Sequence, residues 1–128
     1  MSSELSILAL FGLVIVATIL LQVVFALGQT SLMELARSRD NFPELTGIAG
    51  RFVRTVNNSI IAMTLFAPAV LILGIKDAYS AQSLLACQIF LLARIAYVPI
   101  YAAGIPWART AVWLLGFFAT IYLYVLGF

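Results

Sequence analysis

Four apolar blocks, each long enough to cross a bilayer, constrain this chain more than any other feature. A helix needs about 20 residues to traverse the hydrocarbon core. Residues 5–27 contain no charge and are interrupted only by Ser6, Thr18 and Gln22. Further blocks occupy residues 51–75, 81–100 and 106–127. With 64% hydrophobic and 9% charged residues, against roughly a quarter charged in soluble domains, a soluble fold is excluded. The chain begins Met-Ser-Ser-Glu, without a basic leader, so the first block is expected to stay as a span rather than be cleaved.

The expected fold is all-α: an integral membrane four-helix bundle, up and down, forming a single domain over residues 1–128. Its largest connection, residues 28–50, carries Glu34, Arg37, Arg39, Asp40 and Glu44 around Asn41-Phe42-Pro43. Residues 31–39 could carry the first helix past the membrane surface. Pro68 lies inside the second block and should bend it. Pro106 suits the first turn of the fourth helix.

Basic residues set the orientation. Arg37, Arg39, Arg51, Arg54, Arg94 and Arg109 belong to the first and third connections, and Lys76 alone marks the second. This places the first and third connections in the cytoplasm and both termini on the periplasmic or lumenal side. Trp107, Tyr122, Tyr124 and Phe128 are expected interfacial anchors.

The residue inventory narrows the chemistry. Histidine is absent and Cys87 is the only cysteine, so no histidine base, cysteine-rich metal site or intrachain disulfide is expected. Glu4, Glu34, Asp40, Glu44 and Asp77 all fall outside or at the edges of the apolar blocks. A proton relay through buried carboxylates is therefore disfavoured. Arg51, Arg54 and Asn58 are spaced i, i+3, i+7, which puts them on one stripe of the second helix, and Arg94, Tyr97 and Tyr101 repeat that spacing on the third. With Arg109 just beyond Pro106, the two stripes would form a donor-rich pocket suited to an anion. Arginines at helix ends also snorkel to headgroups, and tyrosines there join the aromatic belt, so spacing alone leaves both readings open. Asn58 favours the pocket, because an amide in an otherwise apolar stretch needs a partner. Cys87 reads as a packing residue, and Gly12, Gly74 and Gly116 as close helix contacts. The aromatic run Trp113, Phe117, Phe118, Tyr122 could face lipid, a neighbouring subunit or an apolar substrate.

Two stretches carry a resemblance. Gly50-Arg51-Phe52-Val53-Arg54-Thr55-Val56-Asn57-Asn58, running on to Leu65-Phe66-Ala67-Pro68, and Arg94 through Tyr101 to Pro106-Trp107-Ala108-Arg109, resemble the MAPEG family of membrane-associated proteins in eicosanoid and glutathione metabolism, in its bacterial form. The likeness covers essentially the whole chain. It implies a homotrimer in the bacterial inner membrane, with sites between subunits open to the cytoplasm; glutathione as cosubstrate; and a lipophilic small-molecule electrophile. No metal and no nucleic acid is implied. By motif position, Arg51, Arg54, Asn58, Arg94, Tyr97 and Tyr101 correspond to substrate-binding positions. Arg109 is the nearest counterpart of the catalytic thiolate-stabilising arginine, offset from the pattern by about a residue.

One departure stands out. Where the family pattern R-x-x-R-x-x-x-N-x-x-E ends in glutamate, this chain has Ile61, followed by Ala62. That glutamate is expected to hold the ammonium of glutathione, and leaving a desolvated ammonium unpaired costs on the order of several kcal/mol. The resemblance therefore implies a glutathione or other thiol transferase or peroxidase, with a non-catalytic lipid-binding or membrane interaction subunit as the alternative.

Overall fold

In a computed structural model, residues 3–29 and 46–128 are described, and they form four helices: α1 (Glu4–Ala26), α2 (Gly47–Ile75), α3 (Ala81–Ala102) and α4 (Pro106–Leu126). All four are long and apolar enough to cross a membrane. The expected continuation of the first helix through residues 31–39, and the charged residues 34–44, lie outside the described residues. The second helix begins at Gly47, four residues before the expected span, and runs unbroken through Pro68.

Bonds between helix ends fix the alternating directions. At one end, the Gln29 side chain bonds both backbone groups of Thr46: Nε2 donates to the carbonyl at 2.7 Å, and Oε1 accepts from the N–H at 3.0 Å. Arg51 Nε, also at this end, donates to the Ala102 carbonyl at 2.9 Å, joining the start of α2 to the end of α3. At the opposite end, Lys76 Nζ donates to the Gly127 carbonyl at 2.7 Å. Ser83 Oγ there donates to a carboxylate oxygen of Glu4 at 2.9 Å. Helices α1 and α4 do not touch; each packs on the central pair α2 and α3.

Local chemistry explains the helix boundaries. Ser3 accepts from the Ser6 N–H at the start of α1, and Ser80 and Ser83 form a reciprocal capping box at the start of α3. After α2, the Ala78 N–H reaches the Leu73 carbonyl and the Asp77 N–H reaches that of Gly74, with Asp77 in the left-handed region at φ 53°. The end of α3 repeats this closure, with Gly104 at φ 75°, where the missing Cβ removes the steric cost. Gly74 is needed for space: a Cβ there would lie 2.6 Å from the Tyr79 hydroxyl, which donates to the Val70 carbonyl. Burial, and then the nearby Glu4 carboxylate, push the Tyr79 phenol above its ordinary pKa, which keeps that donor protonated.

The core is aromatic at its centre. Phe66 and Phe90 stack with centroids 3.9 Å apart, and Phe11 meets both rings edge-on at 6.2 and 5.0 Å. These rings ally α1, α2 and α3 by dispersion, the main packing force where the surroundings are as apolar as the core. Cys87 is fully buried in the same cluster, in line with its packing role. Tyr124 also ties two helices together. Its hydroxyl donates to the Leu65 carbonyl at 2.6 Å, so it works as a contact between α4 and α2. Pro68 removes the backbone donor for the Thr64 carbonyl, and this phenol meets the carbonyl one residue further on. Trp107, by contrast, is 85% exposed.

Candidate functional site

The two polar stripes converge at the end of the bundle that holds the first and third connections, on the side of the central pair covered by α4. Tyr101 is the hub. Its hydroxyl accepts from Arg54 Nε at 3.0 Å, its ring lies 4.9 Å from the Arg109 guanidinium carbon, and the Tyr97 ring stands 5.5 Å away. Asn58, Tyr97, Tyr101, Arg109, Thr110 and Trp113 line an open cleft of about 260 Å³. One residue from α2, two from α3 and three from α4 thus form a single surface, with Arg54 held at its edge through Tyr101.

Not every predicted residue joins this cleft. Arg51 is diverted to the Ala102 carbonyl, where it caps α3 beside Gly104. Arg94 turns inward and is 2% exposed: Nη2 donates to Ser59 Oγ at 3.1 Å, and its guanidinium lies 4.4 Å over the Tyr97 ring. A buried guanidinium requires such company, because its desolvation is costly. Ile61 stands beside the stripe, as its spacing suggests, but it lines a second, smaller cavity of about 40 Å³ together with Asn58 and Arg94. Asn58 and Trp113 border both spaces.

Sequence reasoning missed Ser59. A signal was present, since Arg51, Thr55 and Ser59 recur at intervals of four and mark a second polar stripe facing α3. Thr55 and Ser59 are buried, and Thr55 turns its hydroxyl back to the Arg51 carbonyl at 2.8 Å. Glu4 was also missed as a buried group. It is the first residue of α1 and 5% exposed, against Ser83 at the end of the bundle far from the cleft.

Chemically, the cleft presents guanidinium groups, phenols and an amide. Among the described residues no carboxylate is paired with Arg54 or Arg109, and no cluster of His, Cys, Asp and Glu could hold a metal ion. Such a donor set matches an anion.

The sequence profile of the MAPEG family matches residues 5–128, nearly the whole chain. The chain belongs to the MAPEG family. No curated protein and no solved structure matches it. As a MAPEG protein with four spanning helices it is an integral membrane protein. Within it, the Arg54 and Asn58 stripe of α2 meets the Tyr97 and Tyr101 stripe of α3 at the cleft. Ile61 offers only apolar surface at the lip of the Asn58 and Arg94 cavity.

Proposed function

We propose that this MAPEG protein is a membrane transferase that joins a thiol cosubstrate, of the glutathione type, to a lipophilic electrophile. The observation that carries the reading is the convergence of Arg54 and Arg109 on Tyr101 in a cleft shared with Asn58 and Tyr97. Arg54, Asn58, Tyr97 and Tyr101 bind and orient the carboxylates and amides of the cosubstrate. Arg109 stands beside the sulfur and lowers its pKa, so that the thiolate, the nucleophilic form, predominates at neutral pH. The sulfur then attacks the electrophilic atom of the apolar partner, a bond to sulfur forms, and the leaving group departs. The membrane concentrates that partner at the site. Arg51 and Arg94 act as positioning residues, the first through the end of α3 and the second through Tyr97.

Arg54→Ala is expected to weaken glutathione binding by about tenfold, the scale of one charge-assisted hydrogen bond. Arg109→Ala is expected to lower the ultraviolet absorbance of bound thiolate at neutral pH by up to about fivefold while changing affinity less, because a rise of about one unit in the thiol pKa turns the thiolate from the major form into the minor one. Calorimetric titration and thiolate absorbance on the same samples check both. Unchanged thiolate absorbance in Arg109→Ala would remove that residue from its role.

The assembly we propose is a homotrimer, since one four-helix protomer is too small to enclose a large pocket. Mass measurement in detergent or nanodiscs should return three chains, and a monodisperse monomer or dimer that retains ligand binding would refute it. We also propose that the protein lies in a bacterial inner membrane with its cleft on the cytoplasmic side and both termini opposite, an orientation supported by six basic residues against one. A cysteine replacing Ser80 should react with an impermeant reagent only from the outer face. Labelling from the cytoplasmic side alone would invert the topology.

A second reading, a non-catalytic lipid-binding or interaction subunit, draws on one observation: Ile61 is 60% exposed and apolar where the family pattern has a carboxylate.

A further inference from the structure

A groove of about 330 Å³ runs between α3 and α4, on the side of α4 opposite the thiol cleft. Helical spacing puts Trp113 and Phe117 on one side of α4 and Leu115, Phe118 and Tyr122 on the other. The groove's floor is made of two small buried residues, Ala86 and Ala119. Leu85, Leu115 and Phe118 flank them as exposed walls. Its polar residues, Gln82 and Tyr122, both stand at one end, the first in the opening turn of α3 and the second near the end of α4. That end of the bundle is the one far from Arg54 and Tyr101.

These dimensions are those of one lipid chain within one leaflet. From Gln82 to Ile89 along α3, and from Tyr122 back to Leu115 along α4, the groove extends about 10 Å, inside the roughly 15 Å of half a hydrocarbon core. Its volume holds roughly ten groups the size of a water or a methylene. A helix of a second copy, about 10 Å across, would need a trough that continues past mid-membrane, and this one ends at Ile89 and Leu115. Lipid on the convex face of α1 touches protein on one side, whereas a chain here touches two walls and a floor, which multiplies its dispersion contacts. The mouth offers donors without charge. Among the described residues the lining includes no Asp, Glu, Lys or Arg, and neither the Gln82 amide nor the Tyr122 phenol has a hydrogen-bond partner. At the depth of the aromatic belt such donors meet the ester carbonyls of a glycerolipid, which are neutral acceptors. A phosphate calls for a cation, and Lys76, the basic residue described at this end, donates to the Gly127 carbonyl instead.

We propose that this groove is a glycerolipid site in the leaflet opposite the thiol cleft. One acyl chain lies over Ala86 and Ala119, and Gln82 and Tyr122 donate to its ester carbonyl. The site recognises chain and ester and is indifferent to the charge of the headgroup. It shares no residue with the thiol cleft, so it stands whether or not the transferase reading does. The two alanines set its depth, because a larger side chain at either would occupy the space of the chain. Bound lipid completes the packing of α3 on α4 where small residues leave it open, and so belongs to the bundle rather than to its solvent.

The test uses the full chain in phosphatidylcholine nanodiscs doped with one of two photoreactive probes. The first is a phosphatidylcholine with a diazirine midway along an ester-linked chain, and the second is its ether-linked analogue, which lacks the carbonyl. Peptide mapping should place the ester probe's label on α3 between Leu85 and Ile89 and on α4 between Leu115 and Phe118, several-fold above the label on the exposed Leu13 and Leu20 face of α1. The ether probe should label the groove about fivefold less, the scale of one neutral hydrogen bond. Gln82→Leu combined with Tyr122→Phe should erase that preference. Ala119→Phe, which fills the floor, should suppress groove labelling by both probes while the label on α1 stays unchanged. Exchanging the bulk lipid for phosphatidylglycerol should leave the groove's share of the label as it was. Groove labelling no higher than that of α1 would mean bulk lipid alone and would overturn the proposal. So would equal labelling by ester and ether, an ester preference that persists in the double variant, groove labelling that survives Ala119→Phe, or a several-fold change in phosphatidylglycerol. Benzoylphenylalanine in place of Phe118 separates the remaining occupant. Its crosslinks should go to lipid, and crosslinks that join two chains would assign the groove to a second copy and overturn the lipid site.

Discussion

Ile61→Glu is expected to tighten glutathione binding by about tenfold or more, because each 1.4 kcal/mol is worth a factor of ten and a new charge pair in a partly desolvated site supplies at least that much. The side chain borders the cavity that contains Asn58, whose other side lines the cleft with Tyr97, Tyr101 and Arg109. A carboxylate there meets the cosubstrate's ammonium, the one charged group for which the described cleft residues offer no partner. The surface around position 61 belongs to a membrane protein, so the pair is screened less than its 60% exposure would suggest in water. Without ligand the new carboxylate is a burden, and the variant should lose stability that glutathione restores. Calorimetric titration of wild type and variant decides the matter. If neither binds glutathione while the assembly stays intact, the transferase reading fails and the lipid-binding subunit replaces it.

Phe90→Ala should cost about 3 kcal/mol of stability, at the lower end of the usual range for removing a buried aromatic ring. The ring is 2% exposed and stacked on Phe66 at 3.9 Å, with Phe11 against its edge, so its loss leaves space that α1, α2 and α3 cannot all close at once. The value sits low because lipid, unlike water, solvates the unpacked ring well, so the cost is mainly lost dispersion contacts. Reversible unfolding in mixed detergent measures it, and a loss below about 1 kcal/mol would mean that the ring stack does not hold the three helices together.

The spans were legible because hydrocarbon thickness dictates their length, and charge and proline mark where they stop. The stripe Arg54 and Asn58 was legible for a similar reason: helical spacing fixes which residues share a face. What spacing leaves open is how each helix is rotated against its neighbours. That rotation sends Arg51 to the Ala102 carbonyl, turns Arg94 inward to Ser59, and brings Glu4 to Ser83. In a helix that is apolar all round, the polar and apolar faces do not announce which one is inside. The aromatic core was hidden by the same ambiguity, since Phe11, Phe66 and Phe90 resemble the phenylalanines that face outward, such as Phe118. Position near the chain end suggested Tyr124 as an interfacial residue but could not show its bond to the Leu65 carbonyl, because that partner lies on another helix.

The Gln29 side chain has a consequence for how this protein is held together. By bonding both the N–H and the carbonyl of Thr46, its amide stitches together the two points where the chain leaves α1 and enters α2. The two helix ends are thus tied by a side chain and not only by the chain that joins them. Such a tie fixes the spacing at which α1 meets the start of α2, the helix that carries Arg54 towards Tyr101. Replacing Gln29 with a residue that lacks an amide would open this clasp while leaving every apolar contact of the bundle in place, so its loss would be felt first at the membrane surface.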